Sequence, residues 1–474
     1  MNRQNIWIHI TIAVIVIAFA AVLGQLQHLR SELSIGERNI QVEKVAPKPI
    51  SVKRSPEASE PEVLVKFRPE VTLAEIKKLT AKNHDRVEDE IESVKGLTAI
   101  DDLDNADAET VAAQYAAMTD AVIYAEPVQQ INLEPTEEYR QISQIPAYTS
   151  NMPNDPLFNE QWALNNTGQN GGKKDAHIAA LAAWQKIKGS KGVVVAVLDT
   201  GVDYTHTDLI GNMWMRPDKV PAYNDAELGS INDLRGFNAE DNQSDPMDDN
   251  GHGTHCAGII GAEGDNNEGI AGVNWNVEIM PLKFLGRSGS GTTKDAIEAI
   301  NYAIDRKQNG VNVRVISASW GSTAYSKALE DAIRAAGEAG ILFVAAAGND
   351  GTSNDKRPHY PSNYNLPNVI SVAATDKTDV LASFSNFGAK TVHIAAPGRE
   401  IVSTWLNDDY REASGTSMAT PYVSGVAALI LAADPKMSVE KLRDRILKSV
   451  DKLDSLSGKI ESGGRLNAAK ALLN

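Results

Sequence analysis

The chain of 474 residues contains a single cysteine, Cys256, so it cannot form an intramolecular disulfide. Outside a reducing compartment, its stability would therefore come from core burial or from bound metal. Basic residues are also scarce, because 46 Lys and Arg stand against 62 Asp and Glu, for a formal net charge of −16. A charge of this sign repels phosphate backbones, and it argues against nucleic acid as a partner.

Long apolar runs are rare, and the exception lies at the N-terminus. Residues 4–29 contain no Asp, Glu, Lys or Arg, and the largely apolar stretch 6–23 is 18 residues long. That length lies between a signal-peptide core and the roughly 20 residues that span a bilayer. Residues 1–30 therefore predict a signal peptide or an uncleaved signal-anchor helix. Either one exports the rest of the chain to the extracellular space or the cell envelope, and an uncleaved helix would also hold the chain in the membrane.

Residues 31–60 are rich in Lys, Glu, Ser and Pro and predict a linker. The next segment, 61–133, predicts a small α+β domain of the ferredoxin-like type. Its first helix should begin at the capping box of Thr72 and Glu75. The expected strands are 63–67, 97–100 and 121–125, and the expected helices are 72–81 and 108–118.

The same small domain has an acidic segment. Between Asp85 and Glu109 there are ten acidic and two basic residues. Such a run is typical of a solvated face, and it is equally compatible with docking to a partner surface. Both interpretations remain open at this point.

From residue 193 onward, continuous apolar strands alternate with helical segments. Apolar runs that are buried on both faces and separated by helices indicate a doubly wound parallel sheet, an α/β fold. Ligands of such sheets bind outside the carboxyl ends of the strands. The expected strands are 193–198, 279–285, 313–316, 341–347 and 369–374, and the expected helices are 293–306 and 327–339.

Three polar residues stand beside these apolar segments in short motifs. Asp199 ends Val-Ala-Val-Leu-Asp-Thr-Gly, His252 lies in Asp-Asn-Gly-His-Gly-Thr-His, and Ser417 lies in Gly-Thr-Ser-Met-Ala-Thr-Pro. Each one alone is explained by a turn, loop or helix-cap role. Together they supply the carboxylate, the base and the alcohol that make a serine hydroxyl nucleophilic.

The surroundings of Ser417 support that chemistry. The apolar segment 423–433 predicts a buried helix whose N-terminal amides stabilise negative charge. Pro421 is expected in the first turn of this helix, where no N–H is needed. Asn349 follows a buried strand in Ala-Ala-Ala-Gly-Asn-Asp, and its side-chain amide is a candidate donor to an oxyanion.

With these residues in the order Asp, His, Ser, the chain resembles the subtilisin-like serine proteases, and their thermitase-like branch in particular. The resemblance implies a doubly wound sheet of the subtilisin type over residues 154–474. It implies an exported serine endopeptidase that cleaves polypeptides through an acyl-enzyme. Further matching motifs are Asn154-Asp155-Pro156, Gly289-Ser290-Gly291, Ser319-Trp320-Gly321, Ser383-Phe384-Ser385, Ala396-Pro397-Gly398 and Gly464-Arg465-Leu466-Asn467.

The resemblance also assigns roles. Asp199 would orient His252, His252 would act as general base and then acid, and Ser417 would attack the peptide carbonyl. Asn349 and the Ser417 amide would hold the oxyanion. Substrate would lie as an added strand between two wall segments and beside the residues before Asn349. The substrate-binding residues implied are Gly289, Ser290, Gly291, Ser319, Trp320, Gly321, Ala347 and Gly348.

Three further features near this site need an interpretation of their own. Trp320 replaces the smaller aliphatic residue that is common in the family, so it either reshapes the wall of the first and fourth substrate pockets or packs as a core aromatic. Cys256 follows His252 by one helical turn and is expected to pack beneath the imidazole. His252 and His255 are spaced like zinc ligands, but no Glu lies between them and no third ligand follows, so no catalytic metal is expected.

Calcium is the cofactor that the resemblance implies, and oxygen ligands are abundant in this sequence. A strong structural site would use Asp155 and Asp208 with Asn266, Glu268 and Ile270. A second site would use Asn238, Asp241 and Asp245. A turn rich in Asn and Asp explains this second group equally well.

By the same resemblance, residues 61–133 are a propeptide that assists folding and occupies the cleft as an intramolecular inhibitor. Residues 134–153 would form a processing linker, cut between Leu133 and Asn151, and the mature enzyme is expected to be a monomer. The main rival is a catalytically inactive, protease-like binding module. An α/β-hydrolase esterase is excluded, because its triad runs Ser, Asp, His and its serine lies in Gly-x-Ser-x-Gly.

Overall fold

The computed structural model describes residues 63–104, 106–134, 137–141, 152–225 and 228–473, with the backbone alone for 137–141. The predicted export segment, the linker and most of the predicted processing stretch lie outside the described residues. In chain order the strands are β1 Val63–Phe67, β2 Asp85–Glu90, β3 Leu97–Asp102, β4 Val122–Pro127, β5 Gln130–Asn132, β6 Glu137–Gln141, β7 Gly189–Asp199, β8 Tyr223–Asp225, β9 Gly229–Ile231, β10 Phe237–Asn238, β11 Asn276–Lys283, β12 Ser290–Thr292, β13 Val313–Ala318, β14 Leu342–Ala346, β15 Val369–Thr375, β16 Ile394–Pro397, β17 Ile401–Trp405, β18 Asp409–Ser414, β19 Asp451–Lys452 and β20 Gly464–Arg465. The α-helices are α1 Leu73–Lys82, α2 Ala108–Ala116, α3 Ala180–Trp184, α4 His252–Gly261, α5 Thr293–Gln308, α6 Lys327–Glu338, α7 Thr416–Ala433, α8 Val439–Lys448 and α9 Ala468–Ala471.

The small domain is an antiparallel four-stranded sheet with the order β2-β3-β1-β4. Both predicted helices are present, and α1 begins at the predicted capping box, in which Thr72 and Glu75 bind each other's backbone amides. Val63, Val65 and Phe67 of β1 are buried in its core. The three predicted strands and two predicted helices are thus confirmed, with ends that shift by one or two residues.

Strand β2 was not predicted, because five of its six residues are charged. In the sheet, Asp85 and Asp89 are buried, so the solvated-face interpretation is wrong for these two residues. Tyr115 stabilises the first of them by donating its hydroxyl proton to the Asp85 carboxylate at 2.5 Å. Asp89 faces the large domain, whose acidic residue Glu298 lies beside it.

The large domain is built on a nine-stranded sheet with the order β10-β11-β7-β13-β14-β15-β16-β20-β19. All neighbouring pairs are parallel except β19 and β20 at one end. The five predicted strands correspond to β7, β11, β13, β14 and β15. The predicted doubly wound parallel sheet is therefore confirmed.

Helices cover both faces of this sheet, and β7 shows how the faces are separated. Val195 and Val197 belong to an apolar core shared with α4 and α7, whereas Val194 and Ala196 belong to a core shared with α5 and α6. This alternation is the two-residue period of a strand that is buried on both sides. Asp199 ends β7 and so emerges at the carboxyl edge of the sheet.

Helix α7 passes through the first of these cores. Among the residues that the structure describes, α7 is the one helix long and apolar enough to cross a membrane, and 89% of it is buried inside the domain. Pro421 is the sixth residue of α7 and not part of its first turn, so that expectation was wrong. The helix tolerates a proline there because another group binds the carbonyl that the missing N–H would have bound.

The small domain packs against α5 and α6. Glu126 reaches the N-terminus of α6, where its carboxylate accepts from Ser326 Oγ at 2.6 Å, from Lys327 N at 2.9 Å and from Ala328 N at 3.2 Å. On α5, Asn301 Oδ1 accepts from Ser93 N at 2.9 Å. An anion at a helix N-terminus is stabilised by the free amides there. These contacts place the end of β4 directly beside the large domain.

Candidate active site

Asp199 and His252 form a buried pair at the carboxyl edge of the sheet. His252 Nδ1 lies 2.7 Å from Asp199 Oδ1, and both side chains are about 1% exposed. Thr200 N also donates to Asp199 Oδ1, at 2.8 Å, which fixes the carboxylate. With a proton held on Nδ1 by Asp199, the Nε2 atom of His252 carries a lone pair. Nε2 is buried and has no hydrogen-bond partner among the described residues.

Two opposing effects act on the pKa of His252. Burial lowers it, because a charged imidazolium is poorly solvated inside the protein. The Asp199 carboxylate raises it by its charge and by its hydrogen bond, and the net result is a pKa above the ordinary value of 6.5. His252 is therefore a stronger base than an exposed histidine.

Ser417 is the second residue of α7, and both its side chain and its carbonyl bind Ser319. Ser417 Oγ donates to the Ser319 carbonyl at 2.9 Å, and Ser319 Oγ donates to the Ser417 carbonyl at 2.9 Å. Pro421, four residues further on, has no N–H to offer that carbonyl. The buried Ser417 carbonyl is thus satisfied from outside the helix.

Cys256 lies beneath this group, as predicted. Its Sγ lies 3.6 Å from the Ser417 carbonyl, and burial raises the pKa of the thiol, so it remains a protonated donor. The ligand atoms of Asp199, His252 and Cys256 lie within 4.8 Å of one another. Cys256 therefore connects the Asp199–His252 pair to the first turn of α7.

Asn349 follows β14 and faces the N-terminus of α7. Its Oδ1 accepts from Thr416 N at 2.8 Å and from Thr416 Oγ1 at 3.0 Å. These two bonds fix the orientation of the amide, so that Nδ2 is the free end. Nδ2 is buried and has no hydrogen-bond partner among the described residues. A fixed donor of this kind beside a helix N-terminus suits a developing oxyanion.

The end of the small domain lies between the two predicted wall segments. Strand β5 pairs antiparallel with β12, with Ile131 opposite Gly291 and Asn132 opposite Ser290. Asn132 also forms a bridge with Gly321 on the other wall. A Cβ at Gly291 would lie 2.0 Å from the Phe284 carbonyl, so only glycine fits there.

Beyond β5 the chain continues across the site. Leu133 N donates to the Gly289 carbonyl at 2.8 Å, and β6 then pairs with β18, with residue 137 opposite Ser414. Ser414 is three residues before Ser417. Leu133 and the backbone of residue 137 therefore contact two different segments, one in the wall at Gly289 and one just before Ser417.

Trp320 is explained as a core aromatic. It is 2% exposed, its Nε1 donates to the Leu198 carbonyl at 2.9 Å, and its ring packs on Phe284 at 4.7 Å between centroids. Ala347 and Gly348 lie between the end of β14 and Asn349, and the Ala347 carbonyl accepts from Asn386 Nδ2 at 3.1 Å.

Oxygen atoms also converge at the loop of residues 265–270. The Asp155 carboxylate accepts from Asp265 N at 2.9 Å, and Asp208 accepts from Asn266 Nδ2 at 2.8 Å and from Ile270 N at 2.9 Å. Burial raises the pKa of Asp155 to about 6 and that of Asp208 to about 8. Glu268 takes part through its backbone amide, which donates to Asn266 Oδ1 at 2.9 Å.

The second group of predicted calcium ligands has a different arrangement. Asn238 Oδ1 accepts from Asp241 N at 3.3 Å, which is a local turn. Asp245 Oδ1 instead accepts from Tyr204 OH at 2.9 Å and from Met247 N at 3.1 Å. Asn238 and Asp241 therefore form the kind of local turn that is the alternative to a second calcium site.

His255 does not point toward His252. Its Nε2 lies 3.0 Å from the Arg411 carbonyl, and burial lowers the pKa of His255 to about 3.

No pattern in the sequence pointed to another histidine, His359, which the fold brings into the cleft from a distant loop. The Nε2 atom of His359 lies 2.5 Å from Glu134 Oε1.

Comparison with known proteins agrees with this geometry. The Subtilase family profile matches residues 190–464. The chain is 40% identical over 319 residues to the Thermophilic serine proteinase of Bacillus sp. (strain AK1), covering 67% of this chain and 71% of that protein. It is 38% identical over 320 residues to Thermitase of Thermoactinomyces vulgaris, covering 68% of this chain and 99% of that protein.

A solved structure agrees with these relatives. A protease from Pseudoalteromonas arctica PAMC 21717 superimposes with a TM-score of 0.56 at 29% sequence identity, covering 68% of this chain and 99% of that one. The extent of these matches, with the sheet and the site described above, shows that the chain belongs to the subtilase family of serine endopeptidases.

Proposed function

We propose that the chain cleaves polypeptides through an acyl-enzyme formed on Ser417, with His252 as general base, Asp199 as its orienting carboxylate and Asn349 as an oxyanion donor. The single observation that carries the proposal is the buried Asp199–His252 hydrogen bond of 2.7 Å, at the edge of the sheet where Ser417 begins α7. This combination supports a serine nucleophile with its own base.

The reaction follows from these positions. The Ser417 hydroxyl turns from the Ser319 carbonyl to His252 Nε2 and gives up its proton as Oγ attacks the substrate carbonyl carbon. The resulting oxyanion accepts from Asn349 Nδ2 and from the Ser417 amide. His252 then protonates the leaving amine, and a water molecule hydrolyses the ester by the reverse sequence. Asp199 stays ionised and stabilises the imidazolium.

An active-site label tests this function directly. A fluorophosphonate should phosphonylate Ser417 stoichiometrically, because only an activated serine reacts. Ser424→Ala, on the same helix, should leave labelling intact, whereas Ser417→Ala should abolish it. Mass spectrometry of the labelled peptide gives the position. A folded protein without label would support the inactive binding module instead.

The dependence of activity on pH tests the role of His252. The imidazole must be neutral to accept a proton, and Asp199 holds its pKa above 6.5, so kcat/KM should rise through neutral pH to an alkaline plateau. Asp199→Asn should move the midpoint of this rise to lower pH and reduce kcat by about 10⁴, the factor known for the same change in trypsin. An unchanged midpoint in Asp199→Asn would contradict the assignment.

We also propose that the chain is an exported zymogen. Residues 61–133 would be the propeptide, released by a cut between Leu133 and Asn151. Support comes from β5, which lies where a substrate strand would pair, and from Glu126, which is bound at the N-terminus of α6. Export is supported by the apolar segment near the N-terminus, which also leaves anchoring to the membrane open.

A cluster of acidic groups at this interface should make release of the propeptide depend on pH. Asp89 of the small domain meets Glu298 and Asp225 of the large domain, with Lys294 nearby. Burial raises the pKa of Asp89 and of Glu298, and the Asp89 charge raises the Glu298 pKa further. Since the docked state holds protons more tightly than the separated state, docking is strongest at low pH and weakens as pH rises above about 4.5.

Glu298→Gln should remove most of this dependence, because a neutral amide can donate to Asp89 at any pH. In the Ser417→Ala background, which prevents self-cleavage, we expect Glu298→Gln to strengthen docking by on the order of 1 kcal/mol at pH 8 and to change little at pH 5. Hydrogen–deuterium exchange at the backbone amides of residues 85–102, corrected for the pH dependence of the intrinsic exchange rates, measures how tightly the small domain docks on the large one. Glu338→Gln, at an exposed site, is the control, and equal pH dependence in both variants would contradict the assignment.

Calcium is the structural cofactor that we propose. Asp155 and Asp208 are 2% and 0% exposed, and burial raises the pKa of both, so a bound cation would relieve their desolvation. Carboxylate, amide and carbonyl oxygens are the ligands that Ca²⁺ prefers. Asp155, Asp208 and Asn266 would hold it with the backbone of residues 268–270. The ion would stabilise the loop and take no part in the reaction.

Chelation tests the calcium proposal. Removing calcium with EDTA should lower Tm by roughly 5 °C or more, because a ligand at many times its Kd adds several kcal/mol of stability. Asp208→Asn should show a Tm that no longer responds to calcium. Asp241→Asn should respond as the parent protein does. A Tm that is indifferent to EDTA in the parent protein would argue against the site.

A further inference from the structure

His359 lies in the wall of the cleft and is buried. A Cβ on Gly321 would lie 2.0 Å from His359 Cε1, and a Cβ on Gly348 would lie 3.1 Å from its Cδ2. The imidazole therefore fits between the two cleft walls because both neighbours are glycines. Gly348 directly precedes Asn349, so His359 stands beside the oxyanion donor. Its side chain is 3% exposed.

The pairing of the propeptide segment identifies the residue that faces His359. Ile131 and Leu133 pair with the wall formed by Gly289 and Gly291, while Asn132 turns to Gly321. In this alternation, the side chain of the next residue, Glu134, enters the pocket next to the oxyanion donor. A side chain that enters beside the oxyanion donor belongs to the residue whose carbonyl that donor would bind, which is the residue before the cleaved bond. Its carboxylate Oε1 lies 2.5 Å from His359 Nε2.

The two ring nitrogens of His359 both face oxygen atoms that can accept a hydrogen bond. Ser362 Oγ lies 3.4 Å from Nδ1, and its own proton is donated to the His359 carbonyl at 2.8 Å. A hydroxyl has one proton, so Ser362 Oγ faces Nδ1 as an acceptor. Nε2 also faces an acceptor, the Glu134 carboxylate. The form of histidine with a proton on each nitrogen satisfies both partners.

Asp350 is the acidic residue closest in sequence to Asn349, and its charge does not cancel the attraction between His359 and a carboxylate. Asp350 follows Asn349 and is exposed, so solvent and salt screen its charge. His359 acts at contact distance in a buried pocket, where a charge-assisted hydrogen bond is strongest. The pocket therefore presents a net attraction to a carboxylate.

We propose that His359 makes this enzyme select glutamate immediately before the bond that it cleaves. The inference rests on the proposed function, since it names the substrate of the same site. Aspartate is one methylene shorter and should be accepted less well, because its carboxylate falls short of Nε2. Glutamine has the same shape without the charge, and it isolates the electrostatic part of the preference.

Peptide p-nitroanilides copied from the cleft segment test the proposal. In the series succinyl-Ile-Asn-Leu-X-p-nitroanilide, with X as Glu, Gln, Asp, Leu or Phe, we expect the highest kcat/KM for Glu. The ratio of Glu to Gln should be about 10-fold to 100-fold, as expected for one charge-assisted hydrogen bond. The full chain, matured to the active enzyme, is used for these measurements.

Variants separate this pocket from the catalytic machinery. His359→Gln should bring the ratio of Glu to Gln to within about threefold of one, while cleavage after Leu or Phe persists. His359→Lys restores a cation and should retain a preference for Glu. His177→Gln, a partly exposed histidine outside the cleft, is the control and should behave as the parent.

Two outcomes would overturn the inference in distinguishable ways. Cleavage after Leu, Phe and Gln that equals or exceeds cleavage after Glu, in an enzyme that takes the fluorophosphonate label, would refute the glutamate pocket and leave the proposed function intact. Cleavage of none of the peptides, together with an unlabelled Ser417, would refute the proposed function and this inference with it.

Discussion

The reciprocal hydrogen bonds between Ser319 and Ser417 are the interaction on which the rest of the site depends. Pro421 removes the N–H that would bind the Ser417 carbonyl, and a buried carbonyl left without a donor costs about 1–3 kcal/mol. Ser319 supplies that donor, and it follows β13, the neighbour of β7. The bond that compensates for the proline therefore ties the first turn of α7 to the sheet edge where Asp199 holds His252.

The small domain contacts the large domain beside the proposed active site in three ways. Its strand pairs with glycine backbone, its Glu126 binds at the N-terminus of a helix, and its Glu134 contacts His359. In the proposed release of the propeptide, water would replace the first two contacts, because strand edges and helix ends hydrogen-bond well to solvent. The buried acidic pair of Asp89 and Glu298 differs, since separation frees both carboxyls to ionise in water. Ionisation of these two carboxyl groups therefore favours separation of the two domains at neutral pH and docking at low pH.

Particular elements show how much of this was predictable from the sequence. Continuous apolar runs predicted β7 and its neighbours, because a strand that is buried on both faces is apolar along its whole length. The residues proposed as the triad were singled out because acyl transfer on a serine requires a carboxylate, a base and an alcohol. Strand β2 escaped prediction, since its acids are buried only through partners distant in sequence. Pro421 was misplaced because the donor that compensates for it, Ser319, comes from another element. His359 had no local signal, as its function arises from glycines 38 and 11 residues away.

Charge acts on substrates of this enzyme at two distances, with opposite signs. The net charge of −16 repels an acidic peptide as it approaches, but at physiological salt this repulsion is screened beyond roughly 8 Å. Inside the pocket the Glu134 carboxylate lies 2.5 Å from His359 Nε2, in direct contact, so the attraction there is barely screened. Salt should therefore speed the encounter with acidic substrates while leaving the choice of side chain unchanged. If the glutamate pocket operates as proposed, selectivity and association rate are set by different parts of the molecule, the first by one buried imidazole and the second by the acidic surface.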